Sequence, residues 1–240
     1  MELIFNYQFN IFIDLLPNYL TPKQCIKFYS SNKHLYYTYN TNNKFEHFYF
    51  TPKTKTDLVN AVNYWCNNET KNKALLKYGH ISYWNTIYIT NMKKLFYRKV
   101  EFNDNISDWN TSNVINMIHL FRYAKKFNQS INNWNTNKVK YMKKMFAFAE
   151  NFNQPLNNWD VSNVINMHFM FIYSYKFNQP LNNWNVSKVK DMRYMFLYTR
   201  KFNQSINNWN ISKTTKILDM FCDASDFNPI NCNWYNWCNY

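Results

Sequence analysis

The sequence is poorest in glycine: its 240 residues contain one, Gly79. A P-loop or a G-x-G-x-x-G turn needs several glycines for close backbone approach to phosphate, so both are excluded. Collagen and Gly/Ser linkers are excluded with them. Acidic residues are also scarce, 14 against 28 Lys plus Arg, which leaves a formal charge of +14. Cysteines are few and odd in number (Cys25, Cys66, Cys222, Cys232, Cys238) and form no C-x-x-C pair. That argues against a disulfide framework and for reduced thiols in an intracellular setting. No apolar run approaches the ~20 residues of a membrane-spanning helix. Residues 1–20 are apolar but carry Glu2 and Asp14, with no basic start and no small-residue cleavage site, so no signal peptide is expected.

What the chain does have is asparagine, 43 residues of it, with 20 Tyr, 21 Phe and 9 Trp. At 46% hydrophobic it can bury a real core and is not disordered by composition. Enrichment in Phe, Ile, Asn, Lys and Tyr together fits a very AT-rich genome, which accounts for part of the positive charge. The rest reads either as a solvated lysine-rich surface or as an attraction for nucleic acid or anionic membrane. N-x-S/T triplets such as Asn128-Gln129-Ser130 and Asn203-Gln204-Ser205 are expected by chance in so Asn-rich a chain.

Tryptophan recurs with a 25-residue period, at 84, 109, 134, 159, 184, 209 and 234. Phenylalanine keeps the same interval at 102, 127, 152, 177, 202 and 227, and again at 96, 121, 146, 171, 196 and 221. Methionine holds 92, 117, 142, 167 and 192, with Ile217 in the last place. A fixed period of this size means stacked units, each unable to bury its apolar side chains alone. The repeat core is therefore Trp109, Trp134, Trp159, Trp184 and Trp209, Phe127, Phe152, Phe177 and Phe202, and Met117, Met142, Met167 and Met192. Asparagines in register, such as Asn128, Asn153, Asn178 and Asn203, can bond along the stack. Asparagine also tolerates the left-handed backbone angles that glycine would otherwise supply.

The V-x-x-M stretch of each unit predicts a short parallel strand, and the M-F-x-x-[AS] stretch one helical turn. The expected fold class is an α+β repeat protein. It would be a leucine-rich-repeat-like solenoid of 25-residue coils over 77–240, preceded by a small helical N-terminal module. The run Trp159-Asp160-Val161-Ser162-Asn163-Val164-Ile165-Asn166-Met167 closely resembles the BspA-like leucine-rich repeat family. That resemblance implies protein interaction or surface display, and no shared catalytic residues.

Upstream, Leu58, Ala61, Val62 and Trp65 have helical spacing. Thr56 or Asp57 is the expected N-cap, and 51–76 the expected capping helix and linker, shielding the open end of the stack. Gly79 falls where that helical region stops. In residues 1–50, Leu20-Thr21-Pro22-Lys23-Gln24-Cys25-Ile26-Lys27-Phe28 and Asn32-Lys33-His34-Leu35 are similar to an F-box. A plain helical cap is the alternative. The resemblance implies docking to a Skp-type adaptor of a cullin ubiquitin ligase through Leu16, Leu20, Pro22, Ile26 and Phe28. It also implies a eukaryotic cell or a large virus infecting one.

The histidines His34, His47, His80, His119 and His168 share no repeat phase and no metal-ligand spacing, and no H-E-x-x-H or G-x-S-x-G occurs. No enzyme, metal or cofactor is expected. Lys138, Lys188 and Lys213 share one phase, Lys140 and Lys190 a second, and Lys143 and Arg193 a third. Stacking would align them into a basic face, or simply a solvated polar row. Without exposed aromatics such a face gives no base readout, so nucleic acid would bind only nonspecifically. The expected function is a non-enzymatic interaction protein, a target-recruiting ligase adaptor. The alternative is a structural or surface-adhesive repeat protein.

Overall fold

The computed structural model describes residues 50–235 together with two short strands, β1 (Tyr37–Tyr39) and β2 (Phe45–His47), paired antiparallel. The rest of residues 1–49, with Leu16, Leu20, Pro22, Ile26 and Phe28, lies outside the described residues.

Helix α1 spans Lys55–Trp65 and α2 Lys71–Tyr78. The N-cap of α1 is Thr54, ahead of the expected Thr56 or Asp57. The reason is a reciprocal capping box: the Asp57 N–H donates to Thr54 Oγ1 at 3.1 Å, and the Thr54 N–H donates to Asp57 Oδ2 at 2.8 Å. Asp57 thus acts from inside the first turn of the helix. Leu58, Ala61, Val62 and Trp65 form the buried stripe of α1, and Trp65 meets Trp84 edge-on at 6.1 Å. The Trp65 indole N–H and the Lys71 ammonium both reach Asp104, at 2.9 and 3.2 Å. Gly79 ends α2 at φ 69°, where a side chain would cost energy.

From Trp84 onward the chain runs in 25-residue coils, counted from one Trp to the next: 84–108, 109–133, 134–158, 159–183, 184–208 and 209–233. Neighbouring coils superpose. Phe121, Phe146, Phe171 and Phe196 stack on one another at 5.4–5.6 Å. Phe127, Phe152, Phe177 and Phe202 form a second stack at 5.8–6.1 Å. Every expected core residue is buried, with Met117, Met142, Met167 and Met192 fully so. The indole N–H of each repeat-core tryptophan donates to the carbonyl 28 residues earlier, as in Trp134 to Ile106 and Trp159 to Ile131. The buried aromatic rows thus carry no orphaned donor.

The local structure differs from the expected strand and helical turn. Only one residue per coil forms a parallel bridge, in the series Asn91, Asn116, Tyr141, Asn166, Asp191, Lys216. A run of tight turns then stands in place of a helix. In the third coil the Met142, Lys144, Phe146 and Phe148 N–H groups donate forward to the carbonyls of Asn166, His168, Met170 and Ile172. The alternate amides of Met145, Ala147 and Ala149 close turns within the coil, on Met142, Lys144 and Phe146. The amides of the turns are thus shared between bonds along the stack and bonds that hold the coil.

That geometry needs positive φ at two places per coil, the third positions of the turns 92–95 and 96–99 and their repeats. Glycine or asparagine is usual there. Here the places hold twelve other residues, from Lys94 (φ 63°) and Arg98 (φ 59°) to Asp219 (φ 48°) and Asp223 (φ 54°), and none is asparagine. The asparagines instead supply side-chain acceptors. The N–H of Asn128, Asn153, Asn178, Asn203 and Asn228 each donates to the Oδ1 of the asparagine one coil earlier, at 2.8–2.9 Å. Gln154, Gln179 and Gln204 add an amide donor to the Oδ1 of Asn128, Asn153 and Asn178.

In the last coil the backbone register slips by one residue locally, with the Lys216 N–H donating to the Lys190 carbonyl. Thr215, not Thr214, is buried, and its hydroxyl donates to the Val189 carbonyl at 2.9 Å. A threonine can satisfy that carbonyl where the valine of earlier coils cannot.

Asn153 serves both the Asn178 N–H and the Gln179 amide. Asn153→Ala is expected to destabilise the protein by about 1–3 kcal/mol, measured by urea unfolding. Substitution of Asn151, which has no such ladder role, is expected to change stability by less than about 0.5 kcal/mol.

Candidate interaction face

Four rows lie side by side along the stack, outward except at the buried Ala147 and Ile172 of the third. Row one is Lys93, Ile118, Lys143, His168, Arg193, Leu218; row two is Lys94, His119, Lys144, Phe169, Tyr194, Asp219. Row three is Tyr97, Arg122, Ala147, Ile172, Leu197, Cys222; row four is Arg98, Tyr123, Phe148, Tyr173, Tyr198, Asp223. Rows two and four are the positive-φ positions, so the strained backbone points its side chains outward along one face.

Row four is a ladder of half-buried rings. Tyr123 stacks on Phe148 at 4.5 Å, Phe148 on Tyr173 at 4.6 Å and Tyr173 on Tyr198 at 4.6 Å. Asp223 ends it by accepting from the Tyr198 hydroxyl, which with the nearby carboxylate charge raises that phenol above its ordinary value. In row two Phe169 stacks on Tyr194 at 4.8 Å, and the Lys144 ammonium lies 4.6 Å from the Phe169 ring centre. Arg122 lies 4.8 Å from the Tyr123 ring and Arg98 5.3 Å from that of Tyr97.

The expected basic face is only partly assembled. Lys138 and Lys188 are exposed, but each Nζ donates to an asparagine one coil earlier, Asn113 and Asn163, at 2.8 Å. Lys140 and Lys190 are exposed. The coil between these two sets places Asn163, Ile165 and His168 at the three lysine phases, so no continuous stripe forms. Arg193 is engaged by Asp191 through two bonds of 3.0 and 2.9 Å. Lys213 lies in the slipped stretch of the last coil. The expected stripe is broken because, ahead of the slipped last coil, like charges recur only in every second coil, so a shared phase does not make them neighbours. Lys143 alone joins the row-two and row-three cations. The aromatic ladder is hidden in the sequence although its 25-residue spacing is visible: its positions change type from Arg to Tyr to Phe to Asp.

Two histidines sit within this face. Burial, then Arg122, Lys144, Lys94 and Lys143, hold the His119 imidazole down at about 4. It is thus neutral at pH 7, and its Nδ1 accepts from Arg122 at 3.2 Å. Burial likewise holds His168 at about 4, helped by Lys143 and Arg193, although the Asp191 carboxylate 3.5 Å away opposes the shift. The His168–Asp191 contact is therefore not an ion pair at neutral pH. Among the described residues no group of His, Cys, Asp and Glu is placed to hold a metal ion. Cys66, Cys222 and Cys232 are free thiols, and burial pushes Cys66 and Cys232 up to about 12. No helix among the described residues is long and apolar enough to cross a membrane.

A family of proteins described as Mycoplasma proteins of unknown function, DUF285, matches residues 64–174 and 154–237, which together cover most of the chain. The chain belongs to this DUF285 family. The match is consistent with the BspA-like repeat proteins that the coil sequence resembles. As a DUF285 protein it brings a repeat architecture and no assigned activity. No curated protein and no solved structure matches it.

Both imidazoles are expected to weaken folding on acidification. An unfolded histidine titrates near ~6.5, so between about pH 6.5 and 4 the unfolded chain binds more protons and stability decreases as pH is lowered. His119→Gln with His168→Gln is expected to flatten the loss of thermal midpoint between pH 6.5 and 5. An unchanged slope would show that the two groups are not held neutral. A second expectation concerns the backbone. Lys94 is exposed at positive φ, so Lys94→Gly is expected to leave stability unchanged or raise it by up to about 1 kcal/mol, where glycine in ordinary backbone costs stability. Denaturant midpoints measure this.

Proposed function

We propose that this DUF285 protein is a non-enzymatic protein-interaction protein built as a leucine-rich-repeat-like solenoid. The observation that carries the reading is the occupancy of the positive-φ positions. Glycine would relieve roughly 1 kcal/mol at each, yet Lys, Arg, His, Tyr, Phe and Asp stand there and point outward. Side chains kept at an energetic disadvantage on one continuous face support display toward a partner.

In the fuller form of the proposal, residues 1–50 are an F-box-like module that docks a Skp-type adaptor, while the coils present a target to a cullin ubiquitin ligase. Leu16, Leu20, Pro22, Ile26 and Phe28 would form that contact. The support is the similarity of Leu20–Phe28 and Asn32–Leu35 to an F-box. The competing reading is a structural or surface-adhesive repeat protein using the same coils. The two differ in a direct experiment: the full chain, co-expressed with a Skp-type protein, should co-purify with it. Leu20→Asp with Ile26→Asp should abolish the association while leaving thermal unfolding of the coils unchanged. Absence of association with the unmodified chain defeats the ligase reading and favours the structural one.

A further inference from the structure

The interaction face is polarised along the stack. Its first three coils carry six cations, Lys93, Lys94, Arg98, Arg122, Lys143 and Lys144, and no carboxylate in the same rows. Its last coil carries Asp219 and Asp223 in rows two and four. Among the described residues the ion pairs join Lys71, Lys125, Lys126, Arg193 and Lys201 to carboxylates, and none of the six cations takes part. The cations crowd one another instead. Burial, then Arg122 and Lys143, pull the Lys144 ammonium below its ordinary value. The Arg122 Nε is buried with no hydrogen-bond partner. Among the described residues, then, like charges face each other here with no carboxylate between them, which marks a place where an outside anion would be held.

The aromatic rings decide which kind of anion fits. In the row-four ladder the ring faces are spent on each other from Tyr123 to Tyr198, so a nucleobase has no face to stack on between them. What the ladder offers solvent is ring edges, which carry partial positive charge and suit carboxylate oxygens. Tyr97 lies 5.9 Å from Tyr123 and 6.3 Å from His119, so the cations and ring edges form one contiguous patch.

We propose that the patch formed by Arg98, Arg122, Lys144 and the edges of Tyr97 and Tyr123 is the binding site for an acidic, Glu- or Asp-rich segment of a partner protein. The proposal rests on the reading of the coils as a protein-interaction scaffold and names the chemistry of its partner. The carboxylates would meet Arg98 and Arg122, and the peptide would run along the stack from the first coil to the third.

The test uses the full chain and a fluorescein-labelled Glu-rich 12-residue peptide, read by fluorescence anisotropy at physiological salt. A Gln-rich peptide of the same length and a 12-nucleotide oligo-dT are measured alongside. The Glu peptide should bind at least ten times more tightly than either. Arg98→Gln with Arg122→Gln should weaken it tenfold or more. Lys188→Gln with Lys190→Gln, which removes the same charge from the fifth coil, should change it less than twofold. If the arginine pair does not fold, Lys94→Gln with Lys144→Gln replaces it, with the same expectation. Equal loss from the Lys188/Lys190 pair and from the patch pair would mean net charge alone and would overturn the site. Tighter binding of oligo-dT would overturn it in favour of nucleic acid. Self-association lost in Asp219→Asn with Asp223→Asn would assign the patch to a second copy and also overturn it. Equal binding of the Gln peptide would sink acid recognition while leaving the scaffold reading intact; binding of no peptide, with Skp-type association retained, would remove this site alone.

Discussion

The backbone hydrogen bond from each coil to a carbonyl of the next is the constraint on which the rest of this structure depends. Met142 to Asn166, Lys144 to His168, Phe146 to Met170 and Phe148 to Ile172 show its rhythm. An extended strand would use alternate amides on two neighbours. Here the turns aim every second amide the same way along the stack, and amides between them close the coil on itself. The cost is positive φ twice per coil. The return is a backbone whose donors are satisfied without long strands, over a core of superposed Trp, Phe and Met rows.

Much of this is legible in the residues and some is not. Burial follows directly from period, because side chains that recur once per coil must superpose if the coils do. Trp134, Phe152 and Met167 are buried for that reason. The asparagine ladder is legible in part. Its register is visible, but which atom bonds which is not, and the left-handed role expected of asparagine falls instead to residues such as Lys144 and Tyr173. Propensity cannot show this, because Lys and Tyr carry no turn signal of their own; the inter-coil bonds force their backbone. The expected strand and helical turn fail for the same reason. The apolar spacing V-x-x-M-x-x-M-F fits several compact backbones, and the sequence has no feature that selects one.

The interaction face shows the opposite failure. Shared phase groups Lys138, Lys188 and Lys213. Neighbourhood also depends on what stands in the coil between, and there Asn163 and Ile165 break the stripe. The aromatic ladder changes residue type from coil to coil, so it is conspicuous only once coils are stacked. Asp104 illustrates a simpler limit. As an isolated acid it reads as a surface or loop residue, whereas it anchors both Trp65 and Lys71 to the first coil. A helical cap tied in this way covers the end of the stack with the same core that runs through the coils.

The central claim is that amides beneath outward side chains are bound as firmly as those beneath buried ones. Residue-resolved amide hydrogen exchange in the fourth coil tests it most directly. Phe169 and Tyr173 carry half-buried side chains, and Phe171 a fully buried one; all three amides donate to the next coil. The account predicts that the three exchange at rates within about tenfold of one another, through one shared opening. Fast exchange at Phe169 and Tyr173 beside slow exchange at Phe171 would contradict it.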